Sequence, residues 1–400
     1  MNSLSATLSV REFSRLDELR AAAGEWDDLW RRAESEAPLT RAEPLAQWLS
    51  EFAAGARWHV IAIEMQGQLA AALPLVGRRV KGLVELGTVP SNPWCVCGDL
   101  LLDPHSDMPL VLDALVAAVN GLSWPLVWLT PIPLAAPRWQ NFAAALDRAK
   151  MPFAVQTHYR VGELQIAGPW HEYEARWTAN HRRQMHKVLR RAQRDGPLEL
   201  KVHERLVGDE IEHALRRGFA IENRGWKGNA GTSVLRTPGM FELYLRQARC
   251  LAEAGQLQLV FLEHSGREIA FEYGFCAKRA YFSSKVGYDP AFAAYSPGQL
   301  LRLLLLQRFH DAGEPARIDF WGPLSQATSQ WCDSAYPVGR LVAAPRRLSA
   351  AVSFQAFRLF RQCVRGIRAG AGVRGIRRTL DVDEPAVAPR AGPAYAPCSR

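Results

Sequence analysis

The sequence lacks a paired cysteine pattern. Its seven cysteines are scattered over 400 residues, their number is odd, and no Cys-x-x-Cys spacing occurs. Cys95 and Cys97 stand close together but have no second pair, so the sequence predicts no metal site. This sparse usage favours a reducing cytosol as the compartment of the protein.

Targeting and membrane-spanning segments are missing as well. The first six residues, Met1-Asn-Ser-Leu-Ser-Ala, include neither the basic nor the apolar region of a signal peptide. The apolar run over 122–137 is too short and too rich in proline to span a bilayer. These absences predict a cytoplasmic protein.

The body of the chain has little net charge. The whole sequence carries +9, but residues 346–400 contain eleven Arg, no Lys and three acidic residues, which gives +8 there and +1 for the rest. This distribution argues against a large nucleic-acid-binding face on the body. A hydrophobic content of 48% and a length of 400 residues are typical of a globular protein with two or three domains.

One stretch, 268–320, predicts two strands, a loop, a helix and a third strand. Apolar residues alternate through 268–276, the turn covers 277–280, and the second strand follows over 281–288. After the 289–296 loop, Ser296 and Pro297 are residues that favour a helix start, and the helix is rich in leucine. Ile318-Asp319-Phe320 is the third strand.

The start of that helix is a candidate anion site. Pro297 has no N–H, but Gly298, Gln299 and Leu300 do, and Gly298 lets an anion approach the backbone closely. Taken alone, Ser-Pro-Gly is equally the start of an ordinary capped helix that binds nothing.

The neighbouring motifs resemble a known family. They are Lys285-Val-Gly-Tyr-Asp-Pro290, Tyr295-Ser-Pro-Gly-Gln-Leu-Leu301, Asp319-Phe320, Glu222-Asn-Arg-Gly-Trp-Lys-Gly228 and the basic helix around Arg190. Together they are similar to the CelD/FemAB-like branch of the GNAT acyltransferase superfamily over residues 177–331. One departure is clear, because the family's Tyr-Lys pair before Trp331 is absent.

The resemblance implies an α+β fold of tandem GNAT-like domains, each a mixed, mainly antiparallel sheet flanked by helices. It implies acyl-CoA (acetyl-CoA) as co-substrate, without a metal, bound with its pyrophosphate on Ser296, Gly298, Gln299 and Leu300. The thioester carbonyl would be held by backbone N–H groups of Gly274, Phe275 and Cys276. The first domain, 1–167, lacks a Ser-Pro-Gly equivalent before Leu110, so we interpret it as a degenerate copy; the catalytic domain is predicted over 168–345.

Direct transfer between two bound substrates needs a general base but no nucleophile, and no Gly-x-Ser-x-Gly motif is present. Glu272 is the first candidate base, Asp319 the second and Glu222 the third. The alternatives are a surface residue for Glu272 and an ion pair with Lys285 for Asp319. Tyr288 would protonate the leaving thiolate, unless it is a core tyrosine.

The predicted acceptor site includes Trp226, Lys227 and Lys285, and its substrate is a small-molecule amine. The family suggests an amino sugar or a precursor of envelope or polysaccharide synthesis. The helix over 178–194 carries five basic residues on one face, at 183, 187, 190, 191 and 194. That face is either solvated or a wall for phosphates, and a FemX-like use of aminoacyl-tRNA is the second hypothesis.

The C-terminal region, 346–400, predicts a basic amphipathic helix over 352–376 and a disordered tail over 379–400. The helix either docks on the body or lies on an anionic membrane surface. A third hypothesis follows, in which the protein is a non-catalytic GNAT-like scaffold of a membrane-bound polysaccharide synthase.

Overall fold

The computed structural model describes residues 8–80, 82 and 84–370, and the side chains of 361 and 363–370 are not described. The chain forms two compact units. The described part of unit 1 consists of residues 8–35, 39–158 and 337–370, and that of unit 2 consists of residues 36–38 and 159–336.

Unit 1 is a sheet with helices packed against it. Its strands are β1 (Leu8–Phe13), β2 (Trp58–Met65), β3 (Gln68–Val80), β4 (Val84–Thr88), β5 (Leu101–Leu102), β6 (Val127–Pro133) and most of β13 (Ser334–Ala343). Its helices are α1 (Leu16–Ala21), α2 (Ala23–Arg32), α3 (Ala42–Phe52), α4 (Met108–Gly121), α5 (Pro137–Arg148) and α13 (Leu348–Gly370).

Unit 2 repeats this plan. Its strands are the second half of β7 (Phe153–Gln165), β8 (Leu198–His203), β9 (Leu257–His264), β10 (Arg267–Ala277), β11 (Ala280–Tyr288) and β12 (Arg317–Pro323). Its helices are α6 (Trp170–Ala175), α7 (Ala179–Asp195), α8 (Asp209–Arg224), α9 (Trp226–Asn229), α10 (Met240–Glu253), α11 (Pro297–Ala312) and α12 (Gln326–Ser329).

The strands of the two units share one order. In unit 1 the order is β1-β2-β3-β4-β6-β13, and in unit 2 it is β8-β9-β10-β11-β12-β7. Within each, one pair is parallel, β4 with β6 and β11 with β12, and a helix, α4 or α11, lies between its strands in the sequence. The other pairings along these strands are antiparallel. The predicted α+β class of two tandem, mixed and mainly antiparallel domains is therefore confirmed.

Strand β10 carries the core of unit 2 because both of its faces are buried. One face packs on α8 and α10, where the Phe271 ring lies 5.6 Å from Phe219 and the Tyr273 ring 5.4 Å from Tyr244. Helix α11 covers the opposite face of the sheet, with Leu300 fully buried in the cluster. The leucine-rich helix predicted after Ser296 is thus buried against the sheet.

The turn between β10 and β11 has an unusual composition. Lys278 and Arg279 both have positive φ, +48° and +66°, which is the geometry of a two-residue hairpin turn normally taken by Asn and Gly. Because the turn contains no glycine, the sequence pattern predicted its position but not its left-handed conformation, which only the structure shows.

The unit boundaries differ from the predicted domain limits. The chain passes from unit 1 to unit 2 at 158/159 instead of 167/168, and residues 337–345 belong with unit 1 because β13 pairs with β6. Strands β1, β7, β8 and β13 had no predicted counterpart. In β8 the signal was present and was missed, since Leu198-Glu-Leu-Lys-Val-His203 alternates apolar and polar residues.

Helix α13 docks on unit 1 through Phe354, which is buried, and Phe357, whose ring lies 5.5 Å from that of Trp128. The predicted helix over 352–376 extends beyond the described residues, as does the predicted disordered tail. Within the described part of the chain, no helix is both long enough and apolar enough to cross a bilayer.

Gly218 of α8 offers a direct test of the packing of unit 2. A Cβ atom there would lie 2.3 Å from the Phe271 ring, so we expect Gly218→Ala to lower the free energy of unfolding by about 1–3 kcal/mol. Gly24 of α2 has nothing within 4 Å of its virtual Cβ, so Gly24→Ala should stabilise slightly by helix propensity. Urea denaturation of both variants checks the opposite signs; a neutral Gly218→Ala would contradict the packing described here.

Candidate active site

The candidate site begins where the parallel pair β11/β12 comes apart. The two strands are paired only from Ala280↔Arg317 to Phe282↔Asp319. Beyond this point, β11 stays paired with β10 through Tyr288 but has no partner on its other side among the described residues. We call this opening the fork. Its free strand edge presents backbone N–H and C=O groups to a ligand or to water.

Two irregularities accompany the fork. On β11, Tyr273↔Lys285 is followed by Gly274↔Ser283, so Ser284 is the extra residue of a bulge. On β12, the register with β7 shifts between Asp319 and Pro323. Bulges bend strands and strengthen their local twist, which explains why the two strands diverge here.

The start of α11 opens onto β11. Ser296 is left-handed, with φ of +47°, and its carbonyl accepts from the N–H groups of Gln299 at 2.9 Å and Leu300 at 3.1 Å. Those two amides are therefore occupied, contrary to the prediction. Within the described part, the Gly298 N–H has no acceptor, and a Cβ at Gly298 would lie 3.8 Å from Tyr288 Cδ1. An anion has room to reach this one amide, at the positive end of the helix dipole.

The side chain of Gln299 serves a different purpose. Its Oε1 accepts from the Trp331 indole Nε1 at 2.7 Å, and its Nε2 donates to the Ala327 carbonyl at 3.4 Å. Gln299 therefore ties the segment after β12 to the first turn of α11, and Leu300 is a core residue with no exposed surface.

Asp319 lies at the closed end of the fork and is almost fully buried. Its Oδ1 accepts from the Trp321 N–H at 2.7 Å, its Oδ2 accepts from the Tyr336 hydroxyl at 2.8 Å, and Arg317 Nη1 is 3.5 Å from Oδ2. The predicted partner Lys285 is replaced by Arg317. Burial raises the pKa of Asp319 to about 6, against the opposing effect of Arg317 and the two hydrogen bonds.

Glu272 is buried beneath α11 instead of lying on a surface. Its Oε1 accepts from the Tyr281 hydroxyl at 2.8 Å, and its Oε2 lies 3.9 Å from Arg302 Nη2. Arg302 is itself buried, close to Ser283 Oγ and 4.7 Å from the centre of the Phe320 ring. This is the geometry of a structural ion pair.

Glu222 lies at the end of α8, against β11. Lys227 Nζ is 2.7 Å from its Oε1, and the Val234 N–H donates to its Oε2 at 3.2 Å. Gly287 permits the contact, since a Cβ there would lie 2.7 Å from Glu222 Cα. The Glu222–Lys227 ion pair thus joins a residue predicted to be a general base to one predicted to bind the acceptor substrate.

The remaining predicted residues separate into two groups. Trp226 and Tyr288 are exposed, and Tyr288 faces Gly298. Lys285 lies 5.2 Å from the centre of the Tyr244 ring, on the α10 side of the sheet. Trp226 and Lys227 lie in the short helix α9.

Gly274, Phe275 and Cys276 are not at the fork. They lie in β10, an interior strand between β9 and β11, and the Cys276 N–H donates to the Gln256 carbonyl at 2.7 Å. Gly274 is needed for packing, because a Cβ there would lie 2.2 Å from the Tyr281 hydroxyl. The free backbone edge belongs to 283–288 of β11.

Sequence reasoning missed two residues, Arg302 and Tyr336. Arg302 stands alone among leucines, and a single cation in such a run is a usable sign of a buried partner. Tyr336 has no local signal, because it reaches Asp319 from 17 residues away.

The basic face of α7 is exposed and lies beside the loop that leads into α11. Arg191 Nη1 is 3.5 Å from the Ala294 carbonyl, and its guanidinium lies 5.6 Å from the centre of the Tyr295 ring. This places positive charge on the loop that leads into the first turn of α11. Among the described residues, no group of three or more His, Cys, Asp or Glu is arranged to hold a metal ion.

Comparisons with known proteins agree with this geometry. Residues 179–328, from α7 to α12, match the family model described as the acetyltransferase (GNAT) domain. No curated protein matches the sequence. The GNAT part of the resemblance is thereby confirmed, while its CelD-like branch stays a prediction.

Several solved structures share the fold over both units. FemX has 9% identity and a TM-score of 0.57, covering 83% of this chain and 96% of its own. A conserved protein of unknown function from Bacteroides thetaiotaomicron VPI-5482 has 11% identity and a TM-score of 0.53, covering 84% and 100%. The C-terminal domain of a protein assigned as lysylphosphatidylglycerol synthetase, from Agrobacterium fabrum, has 13% identity and a TM-score of 0.50, covering 84% and 95%. At such identities the likeness concerns the fold alone.

The structural role of Arg302 can be tested against a matched position. Arg302→Met leaves Glu272 buried without its cation, so we expect the free energy of unfolding to fall by roughly 3 kcal/mol. Arg308→Met makes the same change on an exposed side chain of the same helix, where about 0–1 kcal/mol is expected. Urea denaturation measures both.

A double-mutant cycle completes the test. Adding Glu272→Gln to Arg302→Met removes the unpaired charge, so part of the lost stability should return. Equal losses for Arg302→Met and Arg308→Met, without coupling to Glu272, would argue against a buried ion pair.

Proposed function

We propose that unit 2 transfers an acyl group from acyl-CoA to a small-molecule amine, in a complex that holds both substrates at once. The observation that carries the proposal is the fork, with an open helix-start amide at its mouth and a buried carboxylate, of raised pKa, at its closed end. The GNAT match over 179–328 supports the same reaction class.

The donor would lie along the free edge of β11. The Gly298 N–H, the positive end of α11 and Arg191 are suited to the pyrophosphate. Backbone groups of 283–288 are suited to the amides of the pantetheine arm, as an added strand would be. The oxyanion donor, predicted on Gly274, Phe275 and Cys276, is reassigned in this proposal to the same edge of β11.

In the chemical step, the amine nitrogen attacks the thioester carbon, the carbon–sulfur bond breaks and the amine loses a proton. We assign proton removal to Asp319 acting through Tyr336. The Tyr336 hydroxyl donates to Asp319 Oδ2 at 2.8 Å, so it can pass its own proton to the carboxylate while it accepts one from the amine. Tyr288, predicted to return a proton to the sulfur, lies beside Gly298 at the pyrophosphate end of this edge, so in this proposal the leaving thiolate takes its proton from solvent instead.

Trp226 and the Glu222–Lys227 pair would form the acceptor lip, because they lie on the α8 side of the same strand. The amino-sugar or envelope-precursor acceptor and the cytoplasmic location remain parts of this proposal that derive from the resemblance and the composition. They set the first substrates to assay.

Asp319 gives the reaction a predicted pH dependence. A carboxyl with a pKa of about 6 is protonated, and inactive as a base, at lower pH, so kcat/KM should fall about tenfold for each unit below pH 6. Asp319→Asn should reduce kcat by about 10²–10⁴. Tyr336→Phe removes the relay and should also lower kcat, and because the Tyr336 hydrogen bond lowers the pKa of Asp319, the acid limb of the remaining activity should move to higher pH.

Glu272→Gln is the matched control, because it makes the equivalent change at the first predicted base. In stable protein it should keep kcat within a few-fold of wild type. A large loss in Glu272→Gln, together with normal turnover in Asp319→Asn, would reverse the assignment and return the role of base to Glu272.

Gly298 tests the donor site. Gly298→Leu fills the space above the open amide, so we expect the Kd for acetyl-CoA in calorimetry to rise at least about tenfold. Gly24→Leu is the control, since Gly24 is also the second residue of its helix and has nothing within 4 Å of its virtual Cβ. That variant should bind acetyl-CoA normally.

An aminoacyl-tRNA donor is the second candidate, and the exposed basic face of α7 beside the fork favours it. It would require tRNA binding with a steep salt dependence, weakened by Arg183→Gln and Arg190→Gln. Unchanged acetyl-CoA affinity in Gly298→Leu combined with such tRNA binding would replace acyl-CoA as the donor.

A further inference from the structure

Helix α13 has two apolar faces, and only one is covered. Ala350 and Phe354 are buried in a cluster of unit 1, and Phe357 packs against it. On the other side, Leu348 is 88% exposed, Val352 70%, Leu359 60% and Phe360 54%. A docked helix needs no second apolar face for its own stability.

The exposed residues form a line. Leu348, Val352 and Leu359 are spaced by four and seven positions, so they lie within about 40° of each other around the helix axis. Four of the twelve large exposed hydrophobic side chains in the described chain fall within these thirteen residues. The others are scattered singly, which is usual for a protein surface.

The segment of sequence that contains this line carries only positive charge. Residues 346–380 contain nine Arg, no Lys and no acidic residue. Arg346 and Arg358 are exposed at the two ends of the line. A continuous apolar stripe flanked by arginine fits a surface that offers hydrocarbon and negative charge together.

Other occupants satisfy only part of this pattern. A second copy of the chain would cover the apolar stripe but would bring two segments of the same positive charge together. An acidic peptide would match the charge but leave the stripe in water. An anionic lipid bilayer meets both demands, since acyl chains lie beneath a layer of phosphate groups.

We propose that α13 lies on an anionic membrane surface, with Leu348, Val352 and Leu359 inserted among the headgroups, Phe360 at the edge of this line, and Arg346 and Arg358 against lipid phosphates. Unit 1 would hold the helix through Phe354 and Phe357 while its outer face contacts lipid. The protein would then act beside the bilayer. This inference does not depend on the transfer reaction.

The test uses the full chain and sedimentation with vesicles. Vesicles of phosphatidylcholine and phosphatidylglycerol should retain the protein, and binding should weaken as salt is raised. Vesicles of phosphatidylcholine alone should bind at least about tenfold less, because they lack the negative surface.

The double variant Val352→Asp/Leu359→Asp should reduce binding to the anionic vesicles at least about tenfold. The control is Leu110→Asp/Val207→Asp, which adds the same charge at exposed apolar positions outside α13. All four side chains are exposed, so both double variants should keep the wild-type thermal midpoint.

Three results would overturn the proposal. One is equal retention of the two double variants by anionic vesicles. The second is binding to phosphatidylcholine alone that is as strong as binding to the mixture. The third is a dimer in analytical ultracentrifugation that Val352→Asp/Leu359→Asp dissociates, which would assign the stripe to a second copy.

Discussion

The parallel ladder between β11 and β12 lasts for only three residue pairs, and the rest of unit 2 depends on its ending there. Paired further, the strands would leave no backbone edge and no space for a ligand. Trp321 contributes to the separation, because it adopts a positive φ of 46° and sets its indole edge against the rings of Phe275, at 5.8 Å, and Phe282, at 5.1 Å. A non-glycine residue in this conformation is held by its surroundings, and such positions concentrate at functional sites.

Burial at the closed end of the fork has a thermodynamic cost. Raising the pKa of Asp319 from 3.8 to about 6 corresponds to about 3 kcal/mol against its charged form. The folded protein favours the protonated form of Asp319. Its stabilising effect on the fold is therefore complete below pH 3.8 and is lost as the pH rises through about 6. At neutral pH the fold carries a destabilising carboxylate, which is the expected signature of a group retained for chemistry.

The sequence predicted the elements that local pattern determines. Alternation predicted β10 and β11, and Ser296 with Pro297 predicted the start of α11, each within one or two residues. The choice among Glu272, Asp319 and Glu222 could not be predicted, because it depends on which side chains approach each carboxylate from other elements. Likewise, the interior position of Gly274 follows from pairing with β9, which pattern alone does not specify.

The repeated topology explains why one unit and not the other suits an anionic donor. Helices α4 and α11 occupy equivalent places, each following the third antiparallel strand of its meander and preceding the parallel one. At α4 the cap is Asp107, whose carboxylate accepts from the Leu110 N–H at 3.2 Å. That carboxylate already neutralises the positive end of the helix and would repel a phosphate. At α11 the cap Ser296 makes no side-chain bond, and Gly298 leaves the approach open. In the function proposed here, this capping carboxylate is the local difference that would leave unit 1 a scaffold copy and unit 2 a binding copy of the same fold.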